Sequence, residues 1–217
     1  HQTAAMMTGI EHFLLGQALP KVMVLYGDTN STLAGALVAS KLHIPIVHVE
    51  AGLRSFNRAM PEEVNRIVVD HLSPVLFCSS EEGVGHLKNE GIETGVHVVG
   101  DVMLDAYHHY STRSPTVEIN LPAEDFALVT IHRPSNADSP DQLKKVIASL
   151  VTLDLPIVWP VHPRTLPILS RLEVPSRFHL TEPFDYFSML AALNQCSLVV
   201  TDSGGLQKEA YWAKTPC

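Results

Sequence analysis

The 217 residues carry a formal net charge of −8 and are 46% hydrophobic, a composition that excludes a disordered chain and a basic nucleic-acid-binding surface. No apolar run approaches the ~20 residues needed to span a bilayer, and the first residues lack the basic-then-apolar pattern of a signal peptide. The 3 cysteines are scattered, which favours a reducing compartment over a disulfide framework. We therefore expect a soluble, cytoplasmic protein with neither a nucleic-acid nor a membrane partner.

Strand-like and helix-like segments alternate along the first half of the chain. Short apolar runs predict strands, and longer segments that begin at Ser, Pro or acidic residues predict helices. In chain order the predicted elements are a strand at 21–26, a helix at 31–42, a strand at 45–49, a helix at 61–71, a strand at 74–78, a helix at 80–89 and a strand at 97–99.

A second alternating series follows residues 111–125, which contain Ser114-Pro115 and Leu121-Pro122 without periodicity and are therefore typical of a linker. Its predicted elements are a strand at 126–131, a helix at 141–150, a strand at 156–161, a helix at 164–172, a strand at 178–181, a helix at 186–193, a strand at 198–201 and a helix at 205–212. The alternation predicts an α/β protein with two Rossmann-like domains that face a cleft, residues 1–110 and 126–217.

The two ends of the sequence predict a segment of a longer polypeptide. The sequence begins without Met, and Lys214-Thr215-Pro216 follow the last predicted helix as an exit toward a further strand. We therefore expect both domains to be truncated.

Carboxylates mark the strand ends of the first half. Asp28 and Glu50 follow two predicted strands, and Glu62 begins the next helix. Since the carboxyl ends of parallel strands meet at one edge, we expect these acids to share a crevice, where mutual repulsion raises a pKa and creates an acid or a base. Helix capping by Asp28 and a dipole contact by Glu62 are the alternatives, whereas Glu50 caps nothing obvious.

Cationic and small residues mark the strand ends of the second half. His132-Arg133 and His162-Pro163-Arg164 each end a strand, and such donors suit diphosphate oxygens. Ser203, Gly204 and Gly205 open a helix, where free N–H groups and the dipole favour an anion. Glu209 lies on the first turns of that helix and suits a ribose diol. For Arg164 and Glu209, plain solvent exposure is the alternative.

The 12 histidines show none of the spacings typical of a metal site. His108 and His109 are adjacent and so point to different faces of a helix. His48-Val49-Glu50 is similar to the start of a zinc deaminase signature, but no Cys-x-x-Cys follows. We therefore expect no metal.

Five motifs in order along the chain carry a family resemblance. They are Gly27-Asp28-Thr29-Asn30-Ser31-Thr32, His48-Val49-Glu50-Ala51-Gly52-Leu53-Arg54, Pro61-Glu62-Glu63-Val64-Asn65-Arg66, His132-Arg133 and Thr201-Asp202-Ser203-Gly204-Gly205-Leu206-Gln207-Lys208-Glu209. Together they resemble the non-hydrolysing UDP-N-acetylglucosamine 2-epimerases. The resemblance implies the glycosyltransferase-B architecture, a homodimer, and interconversion of UDP-GlcNAc and UDP-ManNAc without a metal or nicotinamide cofactor.

The resemblance also implies roles for single residues. Asp28, Glu50 and Glu62 match the catalytic carboxylates, and His132, which joins them, matches the histidine that contacts the nucleotide. The substrate-binding set comprises Arg133, His162, Phe184, Met189, Ser203, Gly204, Gly205 and Glu209. In that set Ser203 to Gly205 match the phosphate-binding turn, Glu209 matches the ribose-binding acid, and Phe184 and Met189 fall at the uracil pocket. Met189 departs from the Phe of the enterobacterial type.

Other functions remain open at this point. Residues 27–57 are also similar to epimerases that act on UDP-2,3-diacetamido uronic acids. A glycosyltransferase of the same architecture is a further alternative, although three carboxylates exceed what an acceptor-activating base requires. Residues 1–19 are similar to the family's helix before the second motif, but the family's first strand and closing segment have no match. An inactive fragment or a sugar-nucleotide-binding module is therefore the remaining alternative.

Overall fold

The computed structural model describes residues 2–111, 121–122 and 125–217. It divides into two compact units, His1–Met103 and Leu104–Cys217. The predicted linker at 111–125 lies mostly outside the described residues. Among the described helices, none combines the length and the apolar character that crossing a bilayer requires.

The first unit is built on a four-stranded parallel sheet in which the spatial order follows the chain order, β1-β2-β3-β4. Its strands are Met23–Tyr26 (β1), Ile46–Ala51 (β2), Val75–Cys78 (β3) and Val96–Val98 (β4). Its helices are Gln2–Leu15 (α1), Asn30–Lys41 (α2), Pro61–Leu72 (α3) and Glu81–Asn89 (α4). Helix α2 buries mostly small residues, among them Ala34, Gly35 and Ala36, so its backbone approaches the sheet closely.

Helix Val102–Ser111 (α5) begins at the end of the first unit and packs within the second. Its Tyr107 ring lies 5.8 Å from Trp212, and its Tyr110 ring lies 5.3 Å from Phe187. The second compact unit therefore begins earlier in the chain than the predicted boundary at residue 110. This helix is not among the predicted elements, although His108 and His109 are expected to lie on different faces of a helix. Asp101 provides a capping signal and accepts a hydrogen bond from Met103 N at 2.9 Å.

The second unit has a parallel sheet in the order β7-β6-β5-β8. Its strands are Ala127–Thr130 (β5), Ile157–Pro160 (β6), Phe178–Thr181 (β7) and Leu198–Thr201 (β8). Its helices after α5 are Pro134–Ala137 (α6), Pro140–Val151 (α7), Leu166–Leu169 (α8), Tyr186–Leu193 (α9) and Gly204–Trp212 (α10). Strand order reverses at β5, which pairs with β6 on one side and β8 on the other. Open α/β sheets bind ligands at such a switch point.

The predicted α/β class with parallel strands is confirmed, and two helical predictions need correction. The predicted helix at 164–172 is too long, because α8 is followed by turns in which Arg171 N and Leu172 N donate to carbonyls three residues earlier. Helix α6 is not among the predicted elements, because its 4 residues are too few to show a periodic pattern.

Two glycines allow a matched test of this fold. Gly95 has φ +72°, and a Cβ there would lie 2.0 Å from the carbonyl oxygen of Pro74. We expect Gly95→Ala to lower the free energy of unfolding by at least about 2 kcal/mol. At Gly85, inside α4, a new Cβ would meet no described atom within 4 Å other than its chain neighbours and the helix backbone; we expect Gly85→Ala to raise the free energy of unfolding by up to about 1 kcal/mol. Urea unfolding of both variants measures the difference, and equal effects would contradict the packing around Gly95.

Candidate active site

Glu50 occupies a bulge at the end of β2. Val49 pairs with Phe77 and Ala51 pairs with Cys78, so Glu50 is the extra residue between two steps of the ladder. Its φ is +72°, a left-handed conformation that is strained for a glutamate. Bulges re-aim side chains at sheet edges, and here Glu50 Oε2 lies 3.5 Å from where a Cβ on Gly27 would be.

Asp28 lies beside Glu50, with an arginine between the two carboxylates. Tyr26 pairs with Val49, so the residues that follow these two strands emerge at the same edge. Arg66 Nη1 donates to Asp28 Oδ2 at 2.8 Å, and Arg66 Nη2 lies 3.6 Å from Glu50 Oε2. Arg66 Nε also donates to the Glu50 carbonyl at 3.2 Å. The guanidinium therefore offsets the repulsion between the two acids, an arrangement that was not predicted.

Glu62 lies at the start of α3 and lines the same pocket as Asp28. That pocket has a volume of about 310 Å³ and is lined by Asp28, Glu62 and Arg66 among other residues. The structure thus brings Asp28, Glu50 and Glu62 to one edge of the first sheet, which we call the carboxylate edge. Arg66 lies four residues after Glu62 on α3, a spacing that places both side chains on one face of the helix. This spacing is the feature of the sequence from which Arg66 could be predicted as a site residue.

Glu63, the neighbour of Glu62, holds the loop before α3. Its Oε2 accepts hydrogen bonds from Ser55 N at 2.7 Å and from Ser55 Oγ at 2.9 Å, and its Oε1 accepts from Phe56 N at 3.1 Å. Burial acts to raise the pKa of Glu63, but the bonds from Ser55 and Phe56 outweigh burial and lower that pKa. Glu63 therefore shapes the loop that borders the pocket, while the more exposed Glu62 faces solvent.

Asp202 organises the strand ends of the second unit. It directly follows β8, and its carboxylate accepts from His132 N at 3.1 Å, Arg133 N at 2.9 Å and Asn136 Nδ2 at 2.9 Å. His132 Nδ1 lies 2.9 Å from Asp202 Oδ1. These four residues form the Asp202 cluster at the switch point between β5 and β8. Asp202 was not among the predicted site residues, although its place after a strand at the switch point was a usable signal.

The predicted cations lie at this cluster. Arg133 Nε donates to the Asp202 carbonyl at 2.7 Å, which directs part of its guanidinium to the protein itself. The His162 ring lies 5.3 Å from the His132 ring. The structure therefore brings His132, Arg133 and His162 together, with Asp202 fixing the first two through backbone and side-chain contacts.

Ser203 caps helix α10 beside the cluster. Its Oγ accepts from Leu206 N at 3.4 Å, and its own amide donates to Thr201 Oγ1 at 2.9 Å. Apart from its chain neighbours and the backbone of α10, no described atom lies within 4 Å of the position that a Cβ on Gly204 would take. A helix start carries amide N–H groups without intrahelical partners, which suit an anion.

Glu209 is buried on the inner side of α10, with 7% of its surface exposed. Burial raises the pKa of its carboxyl group. Tyr107 and Tyr186 are its neighbours, and after burial the Glu209 charge is the next cause that raises their pKa values. The exposed-acid alternative for Glu209 is therefore wrong.

Phe184 and Met189 lie on either side of the start of α9. Both are partly buried and pack against the core formed by Phe126, Leu128 and Val158 with their neighbours. Their place at a uracil pocket stays a prediction. In the described part of the chain, no three His, Cys, Asp or Glu side chains are grouped so as to hold a metal ion.

Comparison with known proteins gives the family. A family profile described as UDP-N-acetylglucosamine 2-epimerase matches residues 1–217. The chain belongs to the UDP-N-acetylglucosamine 2-epimerase family. Within it, the chain is 45% identical to a UDP-2,3-diacetamido-2,3-dideoxy-D-glucuronate 2-epimerase of Pseudomonas aeruginosa, over 99% of this chain and 62% of that protein. It is 42% identical to a UDP-N-acetylglucosamine 2-epimerase homolog of Methanococcus maripaludis, over 100% of this chain and 64% of that protein.

A solved epimerase has the same fold. The structure of the Methanocaldococcus jannaschii UDP-GlcNAc 2-epimerase in complex with UDP-GlcNAc and UDP is 40% identical and superimposes with a TM-score of 0.92, over 100% of this chain and 64% of that chain. The glycosyltransferase-B architecture expected from the resemblance is therefore confirmed. The chain spans slightly less than two thirds of the length of these epimerases.

The Asp202 cluster gives a pH-dependent stability. Burial acts to raise the pKa of Asp202, but hydrogen bonds from Asn136, Arg133 and His132 outweigh burial and lower it. The ionised carboxylate therefore stabilises the fold above its unfolded-state pKa, and this contribution is lost as pH falls through the lowered folded-state pKa. We expect Asp202→Asn to lower the free energy of unfolding by about 1–3 kcal/mol at neutral pH and by less at about pH 3, below the unfolded-state pKa.

Urea unfolding at both pH values measures this change. Asp141→Asn is the matched control, because the Asp141 side chain is 87% exposed and its effect should stay within about 0.5 kcal/mol. A loss at Asp202→Asn that is equal at both pH values would contradict the ionic role of Asp202.

Proposed function

We propose that the protein containing this chain is a UDP-N-acetylglucosamine 2-epimerase that interconverts UDP-GlcNAc and UDP-ManNAc. The observation that carries the proposal is the pair of carboxylates on neighbouring strands, with Glu50 held in a left-handed bulge and Arg66 between Glu50 and Asp28. Strained residues of this kind cluster at active sites. The names of the M. jannaschii and M. maripaludis proteins support the same reaction.

The chemistry requires elimination, because the C2 proton of a UDP-sugar has no neighbouring carbonyl and is not acidic. As the C1–O bond breaks, its electron pair leaves with UDP and positive charge develops at C1. A carboxylate takes the C2 proton, and the C–H electron pair forms the C1–C2 double bond of a 2-acetamidoglucal. Re-addition of UDP, with a proton delivered to the opposite face of C2, gives the epimer. Acid and base groups are therefore needed on both faces of the sugar.

The carboxylate edge supplies those acid and base groups in this proposal. Asp28, Glu50 and Glu62 are three candidates for two positions, one on each face of C2. Arg66 is 8% exposed and anchored to the Glu50 carbonyl, so it holds Asp28 and Glu50 at a fixed separation. Fixing reacting groups in this way removes an orientational cost from the barrier.

The second unit supplies the groups for UDP. His132, held by Asp202, and Arg133 are the proposed donors to the departing diphosphate, together with the amides at the start of α10. Donors fixed before the reaction stabilise negative charge as it develops on the leaving group. Glu209, buried and with a raised pKa, is the proposed acceptor for the ribose hydroxyls. Phe184 and Met189 are the proposed contacts of the uracil.

A second candidate substrate is a UDP-2,3-diacetamido uronic acid. The observation that favours it is the 45% identity with the P. aeruginosa enzyme. Both substrates share the C2 acetamido group and the UDP leaving group, so the same carboxylate edge would serve either. Proton NMR with each sugar nucleotide in D2O separates them, because only a true substrate gains deuterium at C2. The homodimer, the cytoplasmic location and the absence of a cofactor stay predictions.

Replacing the bulge glutamate tests the proposed reaction. We expect Glu50→Gln, in the full-length protein, to lower the epimerisation rate at least about 100-fold, because the amide cannot take or give the C2 proton. UDP affinity should stay unchanged, since the UDP-binding groups lie in the second unit. Proton NMR in D2O measures turnover, and calorimetry measures UDP binding. Glu81→Gln, at an exposed position on α4, is the control. Near-normal turnover in Glu50→Gln would remove Glu50 from the catalytic set.

A further inference from the structure

A buried chain of charged side chains lies behind the carboxylate edge and has no part in the mechanism so far. His48 and Asp70 have fully buried side chains, and the Arg54 side chain is 1% exposed. Arg54 continues to Glu90 through a bidentate pair, Nε to Oε1 at 2.7 Å and Nη2 to Oε2 at 2.9 Å. Four ionisable groups thus run from the interior of the first unit toward its surface.

Asp70 is the branch point of this chain. Its Oδ1 lies 2.6 Å from His48 Nδ1. Its Oδ2 accepts from Arg54 Nη1 at 2.7 Å and from the backbone amide of Gly52 at 3.1 Å. One carboxylate on α3 therefore contacts β2 and the loop after β2 at the same time.

His48 extends the contact to the loop after β1. Its Nε2 donates to the carbonyl of Gly27 at 2.8 Å. Gly27 immediately precedes Asp28, and Gly52 follows Glu50 by two positions. Asp70 therefore contacts the loop after Glu50 directly. It contacts the loop that carries Asp28 indirectly, through His48.

The tied segments contain three residues with left-handed backbone conformations, a conformation that also occurs elsewhere in the chain. Gly27 has φ +65°, Glu50 has φ +72° and Gly52 has φ +78°. A left-handed conformation is strained for a residue other than glycine, and it persists only where the surrounding structure stabilises it. Two hydrogen bonds restrain the backbone on either side of the carboxylate edge: Gly52 N donates to Asp70, and His48 donates to the Gly27 carbonyl.

Stability alone does not explain this cluster. Apolar side chains of similar volume usually replace a buried ion pair without loss of stability, and often with a gain. Apolar residues, however, cannot hydrogen-bond a backbone amide and an imidazole at the same time, as the Asp70 carboxylate does. The contacts of the cluster are therefore suited to orienting the two loops.

We propose that Asp70 and His48 are positioning residues that hold Glu50 and Asp28 in their reactive geometry. The inference rests on the proposed 2-epimerase function, and it adds two side chains that touch neither substrate nor reacting atoms. Because the UDP-binding groups belong to the second unit, loss of this tie lowers kcat and leaves UDP binding and KM nearly unchanged.

Substitution of Asp70 in the full-length protein tests the tie. Asn at this position still accepts from Gly52 N and donates from its amide to His48 Nδ1, whereas Ala does neither. We expect Asp70→Ala to lower kcat about 100-fold and Asp70→Asn to stay within about tenfold of the wild type. KM and the Kd for UDP should remain within about twofold in both variants. The proposal is overturned when Asp70→Ala keeps wild-type kcat, or when Ala and Asn lose kcat equally.

Ser73→Ala separates positioning from loss of stability. Ser73 is buried at the end of the same helix, and its hydroxyl donates to the Val69 carbonyl at 2.7 Å, away from both loops. We expect this control to lower Tm without lowering kcat. A loss of kcat in Ser73→Ala as large as in Asp70→Ala would assign the whole effect to stability and overturn the proposal.

A pair of variants at His48 decides the question even where Asp70→Ala does not fold. Gln places its amide where His48 has Nε2 and keeps the bond to the Gly27 carbonyl, whereas Asn places its amide where His48 has Nδ1 and keeps only the bond to Asp70. We expect His48→Gln to retain at least about tenfold more kcat than His48→Asn. Equal or reversed rates would overturn the role of the Gly27 contact.

A crystal structure of His48→Asn gives a readout that does not depend on the reaction. We expect φ at Gly27 or the Asp28–Arg66 distance to change in this variant and to be kept in His48→Gln. If the wild-type protein turns over neither UDP-sugar, the proposed function is wrong. The comparison of the two variant structures still tests whether His48 positions the loop that carries Asp28. Unchanged loops in both variants would overturn the positioning inference whatever the substrate.

Discussion

The bulge at Glu50 is the constraint on which the first unit's site depends, because it stops β2 from continuing its regular alternation of side chains. In a regular strand, residue 50 would be fixed by the pleat to one face of the sheet. The extra residue in the ladder frees Glu50 from that face and turns its carboxylate toward Gly27, Asp28 and Arg66. The left-handed Gly27 and Gly52 lie beside this irregular residue, and the amide of Gly52 donates to Asp70.

The two units organise charge in opposite ways. In the first, a buried cation lies among acids, since Arg66 bridges Asp28 and Glu50. In the second, a buried anion lies among donors, since Asp202 accepts from the amides of His132 and Arg133. The charge of Arg66 offsets the repulsion between Asp28 and Glu50, and the carboxylate of Asp202 fixes the backbone at His132 and Arg133. In the proposed reaction the first unit moves protons and the second holds the anionic leaving group.

The sequence predicts most strands and the residues that follow them, because apolar runs and turn residues are local signals. Asp28, Glu50 and His132 are predicted as site residues in this way. Local signals do not predict partners that are distant in the chain. Arg66 is 38 residues from Asp28, and Asp202 is 70 residues from His132. The sequence also does not predict the left-handed φ of Glu50, because this position holds neither Gly nor Asn, the residues that favour that conformation. Strand pairing, rather than the conformational propensity of single residues, determines the bulge and these distant contacts.

The strand order of the second unit also determines when its site can form during synthesis. In the first sheet each new strand adds beside the one made just before it, so the sheet grows as the chain emerges. In the second sheet β8 must return past β6 and β7 to pair with β5, where Thr130 and Thr201 meet across 71 residues. A nascent chain that ends before β8 leaves one edge of β5 unpaired and lacks Asp202. The proposed ligand-binding end of this unit therefore depends on a contact of high sequence separation, the kind that forms slowly.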